Sequence, residues 1–391
     1  MPGMDETSLR GLLDSALVGR PPMGPVVHNA LRAGLKLRRR RRIQGAAGGA
    51  AAIAIIAVTI PATIGILGHT PGPAAGHRSA GLAGGPKFFA GITEKPRGQD
   101  PRITVVNIYR SATGRVVASI RPPRPYHDFV AVSRLGGDRT FVAAVITAFG
   151  PTACTSHLFQ FSIDGRGHPS GLTPLSVPQV TGQLMELVSS ADGKALAFTV
   201  SGCVPTQEAG MINLATRQTT TWIGPNHGIH PWVVGSLSLT ENGSRLGFVA
   251  GNPAGLRPTN AYVLPTDSPS GPLMRHATKV LHVPTGVFRV VLSNNGSQAY
   301  VETRSASPGG QVILSQYSTI SGRRIRVLCH LSPVSRLFTL FSVTVDAAGK
   351  HLLAYSDAHR VTAVNLTTGH QASITAAQIP YLDAAYNTAA W

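Results

Sequence analysis

The stretch SSADGKALAFTV, residues 189–200, has two parts: a polar turn centred on Asp192 and Gly193, then an apolar run from Ala195 to Val200. An Asx-Gly pair leading into such a run is the sequence of a hairpin. Glycine supplies the positive φ of a tight turn without a Cβ penalty, and the run that follows has the length of one strand. A strand, a tight glycine turn and a second strand recur in SRLGGDRTFVAAV from Ser133, LTENGSRLGFVA from Leu239, LSNNGSQAYVET from Leu292 and TVDAAGKHLLAYS from Thr344, the Asx-Gly pair itself in the second and third of these. Its turn glycines read as Gly137, Gly193, Gly243, Gly296 and Gly349, spaced 56, 50, 53 and 53 residues apart.

A second hairpin falls between copies, at ITVVNIYRSATGRVVASI from Ile103, GMINLATRQTTTWI from Gly210, VILSQYSTISGRRIRVL from Val312 and VTAVNLTTGHQASI from Val361. Four strands in each unit of about fifty residues predict the blade of a β-propeller. The first unit starts at KFFAGIT from Lys87 and lacks one strand; the tail ending in Ala389, Ala390 and Trp391 is expected to supply it and close a ring of six blades. Proline recurs in each connection to the next blade, at Pro122 and Pro125, Pro178, Pro231, Pro284, Pro333 and Pro380. It cannot donate to a ladder and so favours strand boundaries.

The repeated Asx-Gly turn, apolar strand and Thr-Gly hairpin resemble TolB-like and WD-repeat-like six-bladed propellers over roughly residues 87–391, although the Trp-Asp dipeptide of WD repeats is absent. The whole layout is similar to membrane-anchored propeller proteins of actinobacteria. That resemblance implies a fold and an extracytoplasmic place, and brings no catalytic residues with it.

The membrane reading rests on the other end of the chain. Arg38, Arg39, Arg40, Arg41 and Arg42 form an unbroken run, and the following 26 residues, 43–68, carry no charged side chain. About 20 apolar residues cross a ~30 Å hydrocarbon core as a helix, and arginine is retained on the cytoplasmic side. The 42 residues ahead of this long core predict an uncleaved signal-anchor rather than a cleaved leader. The expected organisation is a cytoplasmic helical segment over 1–42, a transmembrane helix over 43–68, a Gly/Ala/Pro-rich flexible linker over 69–86 and an extracytoplasmic propeller over 87–391. Within the tail, Leu9, Leu12, Leu13, Ala16 and Leu17 recur at helical spacing. In length and placement this tail resembles those of membrane-bound sigma-factor regulators, which implies a cytoplasmic regulatory partner at residues 1–42. It lacks their zinc-binding signature, since no cysteine precedes Cys154.

Charge is positive on both sides: nine Lys or Arg against three Asp or Glu before Ile43, and 26 against 14 after Gly68. Positive-inside retention accounts for the densest run without nucleic acid, which is not expected as a partner. The outer excess suits anionic lipid or an anionic cell-wall polymer. Loops after the second strand and loops between blades share one face, where the reading gathers His127, Asp128, His227, His230, His282 and His330 as a ligand-binding mouth. These residues are too dispersed for coordination, so neither a metal nor a cofactor is expected. Cys154 and Cys203 follow the second strand in neighbouring blades on the oxidising side, which predicts a disulfide between them; Cys329 is left as a small buried hydrophobe. HExxH, GxSxG and GxxxxGK[ST] are all absent. The function expected is binding of an envelope protein, glycan or cell-wall polymer, in a sensing or scaffolding role. A propeller-based hydrolase or lyase and a sigma-factor regulator are the alternatives.

Overall fold

The computed structural model of the protein describes residues 84–94, 104–126, 128–147, 154–201, 207–225, 233–251, 259–281, 287–304, 312–331, 343–356, 360–375 and 389–390. The chain divides into two units, Met1–Ala75 and Gly76–Trp391, and every described residue belongs to the second. The expected cytoplasmic segment and membrane helix lie outside the described residues. Among those described, no helix is long and apolar enough to cross a membrane.

Six antiparallel meanders form the second unit. From the inner strand outward, blade two contains Asp128–Arg134, Thr140–Ile146, Thr155–Ser162 and the short Thr173–Pro174. Blade three contains Gln183–Ser189, Ala195–Ser201, Glu208–Asn213 and Thr219–Ile223, and blade four Val233–Leu239, Arg245–Gly251, Asn260–Pro265 and Thr278–Leu281. Blade five is built from Val287–Leu292, Gln298–Arg304, Val312–Ser318 and Arg324–Leu331, and blade six from Val343–Val345, His351–Ser356, Arg360–Asn365 and Gln371–Thr375.

Blade one joins the two ends of the ring. Its Phe88–Glu94, Thr104–Arg110 and Val116–Ile120 come from the start of the propeller, and Ala389–Ala390 pairs antiparallel with the first of them, Ala90 opposite Ala390 and Gly91 opposite Ala389. The expected closure by the C-terminal tail is observed. A strand borrowed from the far end leaves the first blade without an unpaired inner edge.

Apolar side chains pack between blades. Phe129, Phe141 and Phe161 meet Ile92, Ile108 and Ala390 between blades one and two. Between blades three and four, Trp222 and Leu273 are fully buried. Leu273 arrives on an excursion of blade four, whose Gly271–Pro272 pairs in parallel with the outer strand of blade three. Trp222 Nε1 donates to the Pro269 carbonyl at 3.2 Å, and the Thr221 N–H donates to Ser270 Oγ at 3.3 Å.

The inner turns explain the repeat. In blade three, Ser190 Oγ donates to Asp192 Oδ1 at 2.6 Å, and the Lys194 N–H donates to the same oxygen at 3.0 Å. Asn242 in blade four and Asn295 in blade five accept from the Ser244 and Ser297 N–H groups at 3.1 and 3.0 Å. Asx suits these three turns because its short side chain reaches its own backbone two residues on. Gly193, Gly243, Gly296 and Gly349 all have φ near +70°. Blade two departs from this. There Leu135 N–H bonds to the Thr140 carbonyl as Ser190 N–H bonds to that of Ala195, so Asp138 stands where the others have glycine. The left-handed residue is Gly136, at φ +73°, and not Gly137 as the spacing suggested.

Candidate functional site

Inner strands of all six blades end around one cavity of about 70 Å³, beside the turns that join first and second strands. Neighbouring turns are stitched together. The Asp192 N–H donates to the Glu241 carbonyl at 3.0 Å, the Glu241 N–H to the Asn294 carbonyl at 2.8 Å, and Asn294 Nδ2 to the Ala347 carbonyl at 3.3 Å. These bonds run through blades three, four, five and six in order and hold the mouth of the central channel.

Two buried charge constellations occupy the centre. Arg289 on the inner strand of blade five meets Glu186 on that of blade three, Nη1 to Oε1 at 3.1 Å, with both side chains largely withdrawn from solvent. Glu186 Oε2 also accepts the Leu237 N–H of blade four at 2.9 Å, so one carboxylate ties three inner strands. A ladder irregularity precedes each member: pairing shifts between Thr199 and Val200, skipping Met185, and between Val287 and Arg289. A bulge re-aims the side chains that follow it, which is how charged residues reach the channel from strands that are otherwise apolar.

Near the turns, Asp346 and His351 of blade six form a buried pair, Oδ2 to Nδ1 at 2.8 Å. Asp346 Oδ1 accepts the Lys350 and His351 N–H groups at 2.7 and 3.0 Å. Arg134, at the end of the inner strand of blade two, is 8% exposed and lines the cavity. Burial pushes its ionisation below the usual arginine value, while the Asp138 and Asp346 carboxylates act to raise it.

Of the residues expected at the ligand-binding mouth, His127, His227, His230 and His282 lie outside the described residues. Asp128 opens the inner strand of blade two and accepts the Thr104 N–H at 3.3 Å, whereas His330 is exposed on the outer strand of blade five. The described pair is thus divided between an inner and an outer strand. Among the described residues, no three His, Cys, Asp or Glu side chains gather as a metal-binding group. Cys154 is buried and disulfide-bonded; Cys203 lies outside the described residues. Cys329 is a buried free thiol, with its pKa pushed up to about 12 by burial and by the Glu302 carboxylate.

The sequence reading missed Glu186, Arg289 and Arg134. A charged residue inside an otherwise apolar inner strand, as in QLMELVS and VFRVVL, was the available signal.

Fold and channel together define the class, a six-bladed β-propeller closed by its C-terminal strand. No family model matches the chain, and no curated protein matches it. Among solved structures it is similar to TolB from Acinetobacter baumannii, with a TM-score of 0.52 and 14% identity over 78% of this chain, and it spans 66% of that TolB chain. The periplasmic gluconolactonase PpgL of Pseudomonas aeruginosa is a weaker neighbour, with a TM-score of 0.44 and 15% identity over 73% of this chain and 82% of the other. At such identities the likeness establishes the fold alone.

Proposed function

We propose that the protein is a single-pass membrane protein whose extracytoplasmic propeller binds an anionic polymer of the cell envelope. The observation that carries this reading is the junction of Arg38–Arg42 with 26 uncharged residues, which sets the tail over 1–42 inside and the propeller outside. Beyond that segment, 26 basic against 14 acidic residues give the outer part an excess of 12 positive charges, suited to a polyanion. The ring of blades offers a rigid frame whose loops after the second strand and between blades form the recognition face. The pairing of Cys154 with Cys203 belongs to the same reading: the chain has three cysteines, and Cys329 is free.

Purified full-length protein in detergent should co-sediment with anionic cell-wall polymer. Raising the salt from about 0.05 to 0.5 M should weaken binding at least about tenfold, because exposed charges are screened beyond a Debye length. A neutral polysaccharide should not be retained. Absence of binding to the anionic polymer, or binding indifferent to salt, would count against the proposal.

A further inference from the structure

The cavity at the turn end of the channel is lined by an arginine whose side-chain donors the protein leaves partly unbonded, although the Asp138 and Asp346 carboxylates act on its charge. Arg134 is more than nine-tenths buried, and its Nε and Nη1 have no hydrogen-bond partner. A buried donor left unmade costs about 1–3 kcal/mol, more when charged, so the two unbonded N–H sites of this guanidinium call for an acceptor. Asp346 shares the cavity lining, but its two oxygens are engaged by the Lys350 and His351 N–H groups and by the His351 ring. No hydrogen bond joins Asp346 to Arg134. Ser133 and Ser189 both donate to the Arg134 carbonyl and leave Nε and Nη1 without an acceptor.

We infer that this cavity binds a small oxyanion, held by the Arg134 guanidinium at the turn end of the channel. Guanidinium matches phosphate and carboxylate because its planar N–H groups meet two oxygens at once. About 70 Å³ is several times the ~10–15 Å³ that one water needs, enough for a small ion with water and too little for a polymer segment. Among the described residues, Asp346 is the one carboxylate in the lining, and it is engaged by the His351 ring and by two backbone N–H groups; Ser238, Asn294 and Thr344 add neutral polar groups. The site uses none of the loops assigned to polymer recognition and does not depend on that reading.

Inorganic phosphate is the probe, titrated calorimetrically into the full-length protein in detergent. One phosphate per chain should bind saturably. Arg134→Gln should weaken binding at least tenfold, and Asn294→Asp, which sets a negative charge on the rim with almost no change of shape, should weaken it several-fold. Should Arg134→Gln lose its cooperative melting transition, Asn294→Asp decides alone. No saturable binding by the unsubstituted protein, or unchanged affinity in the folded variants, would overturn the inference.

Discussion

Replacing Arg289 by alanine should cost the propeller about 3–5 kcal/mol, because it strands the Glu186 carboxylate in the channel without its cation. Glu186→Ala should cost a similar amount, since it also releases the Leu237 N–H that this carboxylate accepts. Coulomb attraction between the two is not a net gain of that size: withdrawing both charges from water offsets most of it. The asymmetry is what the experiment reads. Replacing both together, Glu186→Gln with Arg289→Met, should recover most of the loss, as removal of a whole buried pair is often near neutral. Urea unfolding of the three variants measures this, and additive losses in the double variant would show that the two residues do not act as a pair.

Removal of residues 389–391 should have an effect of similar scale by a different route. The strand is short, yet it is the noncovalent clasp of the ring, pairing with Ala90 and Gly91 and placing Ala390 in the cluster with Phe88, Phe129 and Phe141. Each buried backbone group left without a partner costs about 1–3 kcal/mol, and more than one is uncovered. The truncated protein should lose several kcal/mol and expose the edge of Phe88–Glu94 to intermolecular pairing, seen as a lowered urea midpoint and concentration-dependent aggregation. Ala390→Arg, which keeps the strand but buries an unpaired charge, should reproduce the loss of stability. Unfolding that is unchanged in both variants would mean the ring does not depend on its clasp.

The fold was legible because its recurring unit is local. A Ser or Thr, an Asx and a glycine within four residues close the inner turns of blades three to five, and Asp346 with Gly349 closes that of blade six, so blades three to six declare their turns in sequence. Blade two was misread by one position since its two adjacent glycines hide the fact that Asp138 occupies the usual glycine site. Outer strands of blades two and four were invisible for another reason: Thr173–Pro174 is only two residues long, and blade four inserts the excursion that packs Leu273 against Trp222. Such lengths obey tertiary packing, not periodicity. The channel charges were unreadable because their partners lie in other blades. Glu186 and Arg289 are 103 residues apart, and bulges at Met185 and before Arg289 break the alternation by which a sequence shows which way a side chain points.

The most direct test of the account is the side of the membrane on which the ring stands. Ile320, at 87% exposure in the turn before the outer strand of blade five, accepts a reporter cysteine without disturbing the core, and Ser8 offers a second position in the tail. Native thiols should stay silent: Cys154 is disulfide-bonded, and the buried Cys329 has its pKa pushed up to about 12, leaving little thiolate at neutral pH. In intact cells expressing the full-length chain, a membrane-impermeant maleimide should label Ile320→Cys at once and Ser8→Cys only after the membrane is opened. Labelling of Ser8→Cys from outside with Ile320→Cys protected, or recovery of the intact chain in the soluble fraction, would contradict the account.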